Sequence, residues 1–163
     1  MSPTETNPPI NSSSGLTICS ATAEDAPELT RCIKAAYAQY ADRGLDLPDV
    51  TEGIGEDISA HLVWVATIDH KVIGGLILVP FEDHAHLANI AVDPAYSGRG
   101  VGRALIEKAV VACKKRGLSV LKLATHVGLP ENVRLYEHLG WREIERSGNK
   151  VIMSRDLWGQ SGV

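Results

Sequence analysis

Residues His84–Cys113 read HAHLANIAVDPAYSGRGVGRALIEKAVVAC, and their order is that of a strand, a glycine-rich turn and a helix. Leu87, Ile90 and Val92 supply the apolar positions of the strand. Leu87 and Ile90 stand three apart, which breaks a strict period of two and predicts a bulge. Asp93-Pro94 closes the strand, because proline has no N–H for a ladder and turns the residue before it away from helix. Ser97-Gly98-Arg99-Gly100-Val101-Gly102-Arg103 follows. Glycine at alternate positions lets backbone approach a ligand closely. A helix starting here would aim free N–H groups and the positive end of its dipole at that ligand. Arg99 and Arg103 add cations, so the turn is expected to hold an anion, above all a phosphate. A plain tight turn would look the same. Two phosphate motifs do not fit: Gly98-x-Gly100-x-Gly102 is one residue short of a dinucleotide fingerprint, and no Gly-Lys-Ser/Thr occurs in the chain.

Upstream, His61–Ile68 (HLVWVATI) and Val72–Val79 (VIGGLILV) are strand-like runs, joined by Asp69-His70-Lys71 as a tight hairpin. Leu16-Thr17-Ile18-Cys19 alternates as a first strand. Thr22 then caps a helix with Glu24 and Asp25 in its first turn and Pro27 near its start. Leu29, Ile33, Ala36, Tyr37 and Tyr40 recur at three and four, the stripe of an amphipathic helix. Tyr37 and Tyr40 are core and rim aromatics, or one of them lines a substrate pocket. Asp42 to Asp57 holds six acids (Asp42, Asp46, Asp49, Glu52, Glu56, Asp57) against one base, Arg43, and reads as a solvated loop. Beside an active site, its field would favour a cationic substrate.

Downstream, the helix should run to about Arg116 and stop at Gly117. Ser119–Thr125 (SVLKLAT) is another strand, and a helix between two strands implies a crossover with parallel neighbours. Pro130–Trp141 (PENVRLYEHLGW) reads as a short helix beginning near Asn132 and ended by Gly140. Arg142–Glu145 and Val151–Met153 close the chain as an antiparallel pair around Ser147-Gly148-Asn149. Residues 1–14, MSPTETNPPINSSS, bury too little to offset ordering and are expected to be a disordered tail, leaving 15–163 as one domain.

The net charge of −4 gives no electrostatic footprint for nucleic acid, and Lys114-Lys115-Arg116 suits a solvated helix end. Cys19, Cys32 and Cys113 are scattered and odd in number, which points to a reducing compartment. Nothing approaches a membrane span, and the first residues lack a signal peptide's basic and apolar regions. A cytoplasmic protein without membrane or nucleic-acid partners is expected. His84-x-His86 has no third ligand near it, so no metal is expected.

After the Val92-x-Pro94 strand end, Ser97-Gly98-Arg99-Gly100-Val101-Gly102 resembles the acetyl-CoA signature of the GNAT superfamily of N-acetyltransferases, Q/R-x-x-G-x-G/A. Ser97 stands where that family usually has glutamine or arginine. Asn132–Trp141, here N-x-x-x-Y-E-x-x-G-W, resembles a second GNAT motif. The resemblance covers roughly residues 16–157. It implies an α/β fold with a central mixed, mostly antiparallel sheet of about six to seven strands, flanked by about four helices. It also implies acetyl-CoA as cosubstrate and a primary amine as acceptor, expected to be that of a small molecule, with the acidic stretch favouring a cationic one. A homodimer is compatible with it. A protein N-terminus of the ribosomal-protein type and a non-catalytic CoA-binding module are the alternatives. Asn89-Ile90-Ala91-Val92-Asp93-Pro94 is similar to the ribosomal-protein N-terminal acetyltransferases.

Acyl transfer to an amine needs the reactants held together, a deprotonated amine and a proton for the departing thiolate. An alkylamine with pKa about 10 is only roughly one part in a thousand neutral at pH 7. By the resemblance, the backbone of Ile90, Ala91 and Val92 would hold the pantetheine arm, with Asn132 touching the same arm. The phosphates would rest on Ser97, Gly98, Arg99, Gly100, Val101, Gly102, Arg103 and Ala104. Tyr136 would be the acid, since a phenol is protonated at neutral pH. For the base, Ala88 occupies an expected acidic position. His84 and His86, read as sharing a strand face, are the candidates, with Glu82 as the carboxylate. His126 and His138 read as incidental.

Overall fold

The computed structural model describes residues 15–45 and 51–158. The expected N-terminal tail and the acids Asp46 and Asp49 therefore lie outside the described residues. The strands are β1 (Thr17–Ser20), β2 (Leu62–Ile68), β3 (Lys71–Pro80), β4 (Ala85–Val92), β5 (Val120–His126), β6 (Arg142–Ser147) and β7 (Lys150–Asp156). The helices are α1 (Ala26–Ala41), α2 (Ile54–Ala60), α3 (Val101–Lys115) and α4 (Pro130–His138). The strands form one seven-stranded sheet in the order β1-β2-β3-β4-β5-β7-β6. It is mixed and mostly antiparallel, as expected, and β4 and β5 run parallel. No helix among the described residues is long and apolar enough to cross a membrane.

The chain divides into two compact units, one built from residues up to Ile77 with Asn89–Lys108, the other from Leu78–Ala88 and the chain from Ala109 on. In the first, α1 buries Leu29, Cys32, Ile33 and Ala36 in one cluster with Val63, Val65, Val72, Ile77 and Ala91. Thr22 caps not α1 itself but a 3-10 turn, Ala23–Asp25, that leads into it. There the Thr22 N–H donates to the Asp25 carboxylate at 2.8 Å. The stretch Asp42–Asp57, expected to be a solvated loop throughout, contains the start of α2 at Ile54. Ile54 and Ile58 stand four apart and face the core together, a pair hidden by the surrounding acids. The β2–β3 turn is Asp69–His70, both left-handed (φ 52° and 66°), the two-residue geometry that matches strand twist.

The bulge expected in β4 is absent from its burial pattern. Ala85, Leu87, Asn89 and Ala91 are buried without a break in alternation, so Leu87 and Ile90 lie on opposite faces. An asparagine occupies the buried position that an apolar count skips. At the strand's end the Asp93 N–H donates to the Ile73 carbonyl at 2.9 Å. The α3 helix stops where expected, with Gly117 left-handed (φ 77°) and the Leu118 N–H returning to the Cys113 carbonyl at 3.0 Å.

In the second unit, β5 pairs with β4 over Ala85↔Leu121 to Leu87↔Leu123, after which β4 runs on to Val92. Strand β7 lies between β5 and β6, antiparallel to both, with an irregularity in β6 between Glu143 and Glu145. The α4 helix begins at Pro130, so Asn132 lies inside its first turn and does not cap it.

Adjacent glycines in β3 set how closely helices of the first unit can lie on it. A Cβ at Gly74 would come 3.1 Å from both the Ala91 carbonyl and Val101 Cγ1, and one at Gly75 would collide with Leu29 Cδ1. We expect Gly75→Ala to lower unfolding stability by roughly 1–3 kcal/mol, the scale of overpacking a filled core. Denaturant titration checks this, and an unchanged midpoint would show that α1 yields freely.

Candidate active site

The turn after β4 is built by local hydrogen bonds. Asp93 accepts from the Ala95 N–H at 2.9 Å, which caps a 3-10 turn over Pro94–Tyr96. The Ser97 hydroxyl donates to the Pro94 carbonyl at 3.0 Å. The serine that replaces the family's longer polar residue thus gives its proton to the turn. Gly98 and Gly100 take left-handed backbone (φ 78° and 79°), which glycine adopts without strain. Gly102 is different. It lies in the first turn of α3 without a left-handed φ, and a Cβ there would meet only Val92 Cγ2 at 3.8 Å and Ile90 Cδ1 at 4.0 Å. Folding needs no glycine at that position, and alanine would suit the helix better. The first helical bond here runs from the Ala104 N–H to the Gly100 carbonyl at 3.0 Å. The N–H groups before it have no intrahelical acceptor and suit an anion.

Tyr96, which the sequence reading passed over, organises the cations of this turn. The Arg99 guanidinium lies 5.1 Å and the Lys71 ammonium 5.8 Å from its ring centroid. Its only local signal was an aromatic residue three positions before Arg99, and Lys71 reaches it from β3. Ile90, Val92 and the turn from Ser97 to Ala104 belong to one compact unit, and Ile90 and Val92 lie under Gly102.

In the other unit, Asn132 and Tyr136 lie one turn apart on α4. Tyr136 is buried, its ring edge-on to Trp141 at 5.5 Å and 67°. The Trp141 N–H donates to the Tyr136 carbonyl at 2.9 Å. Arg155 from β7 lies over the Trp141 ring at 5.3 Å. A Cβ at Gly140, left-handed at φ 106°, would stand 3.4 Å from Arg155 Nε. The backbone conformation strains any side chain there, while Arg155 would be in ordinary contact with it. Trp141 and Arg155 thus hold the phenol's ring in place, a long-range arrangement that the α4 motif alone does not reveal.

His84 lies before β4 and not within it, so strand alternation does not place it on the face of His86. It stacks on Phe81 at 4.9 Å, with Nδ1 2.7 Å from the Asp83 carboxylate. Burial, then the charges of His84 and Lys150, hold the His86 pKa below the ordinary imidazole value. His86 is therefore a neutral proton acceptor at pH 7, though a weak one.

The cysteines are not activated. Burial, then the Asp93 carboxylate, pushes the Cys32 thiol up to about 11. Burial raises Cys113, and desolvation followed by the Asp25 charge raises Cys19. None offers a thiolate for a covalent acyl intermediate at neutral pH. Among the described residues no cluster of three or more His, Cys, Asp or Glu side chains could hold a metal ion.

Residues 28–141 match the Acetyltransferase (GNAT) family. The chain belongs to that family. It is 29% identical over 134 residues to an uncharacterized N-acetyltransferase of Escherichia coli, YjgM, covering 76% of this chain and 80% of that protein. It is 44% identical over 83 residues to the E. coli ribosomal protein bS18 alanine N-acetyltransferase, a match spanning 51% of this chain and 56% of that protein. The crystal structure of the E. coli ribosomal-protein-S18-alanine N-acetyltransferase aligns with TM-score 0.73 at 27% identity, covering 89% of this chain and 97% of that one. The PaiA N-acetyltransferase of Thermoplasma acidophilum, solved in complex with coenzyme A, shares the fold at TM-score 0.75 and 20% identity, covering 86% and 98% of the two chains. The seven-stranded sheet with four helices is the GNAT fold, and the chain is an acetyltransferase.

For His86, proton-detected NMR titration should give a midpoint below that of an ordinary imidazole, and Lys150→Met should move it upward. The unfolded chain takes this proton at higher pH than the folded one. The His86 contribution to stability is therefore full above the ordinary imidazole value and is lost as pH falls through the lowered one.

Proposed function

We propose that this chain transfers an acetyl group from acetyl-CoA to the primary amine of a small acceptor of cationic character. The observation that carries the cofactor half is Gly102, a helical glycine with space for a side chain that the fold does not require. A close-lying ligand supplies the missing reason. Pyrophosphate suits the turn from Ser97 to Ala104, where α3 presents its first N–H groups, Arg99 and Arg103 add positive charge, and left-handed glycines bare the backbone. Bound there, acetyl-CoA supplies its acetyl group as an activated thioester.

The chain's own residues divide the remaining work. Backbone of Ile90, Ala91 and Val92 would pair with the amide-rich arm, and Asn132 would touch it. Tyr136 would hold a proton for the departing sulfur. His86, kept neutral, would take the proton of the acceptor's ammonium directly or through water, with the Asp83-bound His84 as the other candidate. Asp42, Glu52 and Glu56 are exposed in the acidic stretch and favour a positively charged acceptor. A protein N-terminus is the second reading, supported by the 44% identity over 83 residues to the ribosomal protein bS18 alanine N-acetyltransferase. A binding module without catalysis could discard the tyrosine, and this chain has kept it. Thiol release from acetyl-CoA across polyamines, alkylamines with no second charge and N-terminal peptides tests the reading. Turnover confined to peptides would transfer the conclusion to the second reading.

Gly102→Asp should fold with a thermal midpoint close to the parent's, because its Cβ has room. Calorimetry should show its acetyl-CoA affinity lost, and retained affinity would remove the turn from the site. Tyr136→Phe keeps the ring against Trp141 and removes only the hydroxyl, so folding and acetyl-CoA affinity should hold. Its kcat should fall by about a hundredfold, the scale of losing a general acid. The alkaline limb of the parent's kcat profile should vanish with it. Parent-like turnover would assign the proton to another group.

A further inference from the structure

Asn89 is the one polar residue on the buried face of β4, and only 6% of it is exposed. Its Oδ1 accepts from the Tyr37 hydroxyl at 3.5 Å, while its Nδ2 has no hydrogen-bond partner among the described residues. A buried amide donor left unpaired is costly, and native folds rarely keep one without a use. The packing around it is otherwise apolar: Ala91, two residues on, lies in the cluster of Leu29, Cys32 and Ile33. An aliphatic side chain would serve the core better.

The surroundings indicate what the donor meets. Tyr37 lies near the C-terminal end of α1, edge-on to Tyr40 at 5.6 Å and 72°. The acidic stretch begins one residue past the helix, at Asp42. Burial, then Tyr40, raise the Tyr37 pKa, so its hydroxyl keeps its proton and holds Oδ1. That leaves both hydrogens of Nδ2 free to donate. Ile90 and Val92, whose side chains underlie Gly102, alternate with Asn89 and Ala91 and so lie on the other face of β4. The amide therefore does not address the phosphate turn. It addresses whatever approaches the same strand segment from the α1 side.

We infer that Asn89 reads the acceptor: its Nδ2 donates to an oxygen carried beside the acceptor's amine, and Tyr37 is the positioning residue that sets the amide's orientation. The inference rests on the acetyltransferase reading above and narrows its acceptor class to amines bearing an adjacent carbonyl or hydroxyl. An α-amino amide has that chemistry, and so does the first residue of a peptide. A plain alkylamine lacks it.

Steady-state kinetics on the full chain tests this with three acceptors: alaninamide, an alanine-initiated tripeptide, and sec-butylamine, which has a similar outline and no oxygen. Asn89→Leu removes the amide at similar volume, and Asn89→Ala serves as the second variant. Both should raise KM for the oxygen-bearing acceptors about tenfold, the equivalent of one lost hydrogen bond. Within twofold, kcat, the KM for acetyl-CoA and the constants for sec-butylamine should stay at parent values. The thermal midpoint of Asn89→Leu should change little, since the unpaired buried donor and the long Tyr37 contact are lost together. Tyr37→Phe should move KM in the same direction by less. A response with the tripeptide alone assigns the site to chain termini, and one with alaninamide as well assigns it to α-amino amides at large. An equal loss for sec-butylamine, or a raised KM for acetyl-CoA, overturns the inference, as does an unchanged KM in Asn89→Leu. A parent chain that fails to bind acetyl-CoA in calorimetry overturns the underlying reading instead.

Discussion

Two neighbouring glycines of β3 are the constraint on which the first unit depends. Successive strand residues point to opposite faces, so Gly74 and Gly75 thin the strand on both sides at one place. On the Gly74 side the missing Cβ leaves room for Val101 and Leu105 of α3, and on the Gly75 side for Leu29 of α1. The approach at Gly74 is also an approach to the Ala91 carbonyl of β4. The start of α3 is thereby seated against the strand that leads into it. The phosphate-suited turn between them has little freedom, because the Asp93 N–H on Ile73 and the Asp93 carboxylate on Ala95 fix its beginning.

Within that turn, one residue type serves two physical ends. Gly98 and Gly100 satisfy a backbone conformation that side-chain-bearing residues rarely adopt, and the turn could not be drawn this way without them. Gly102 satisfies no such demand. Three glycines at alternate positions look alike in the sequence, and only the dihedral angles separate the two that shape the turn from the one that leaves a space.

Local chemistry made much of the fold legible. The Asp69–His70 hairpin, the arrest of α3 at Gly117 and the parallel pairing of β4 with β5 rest on turn residues and hydrophobic period, which act within a few positions. The misreadings came from counting apolar letters alone. Asn89 completes the buried alternation of β4, so Leu87 and Ile90 are read as residues of two opposite faces. The acids of 42–57 concealed Ile54 and Ile58, the apolar pair of α2. In the candidate site, the glycine turn and Tyr136 could be named from their motifs. Tyr96 under Arg99, Arg155 over Trp141 and Tyr37 against Asn89 could not, because each pair joins elements whose meeting only the tertiary structure decides. His84 lies one residue before β4, at a boundary that shifts by a residue or two with how strand ends are defined.

The three thiols have a practical consequence. Cys32 and Cys113 are buried, whereas Cys19 is exposed on β1, which forms one end of the sheet order. With every thiol held above its usual range, a colorimetric reagent that titrates free coenzyme A would draw little background from the protein itself. Under more alkaline conditions Cys19 would react ahead of the other two. A single fluorophore could then be attached to β1, away from the glycine turn in sequence, without altering any residue of the native chain.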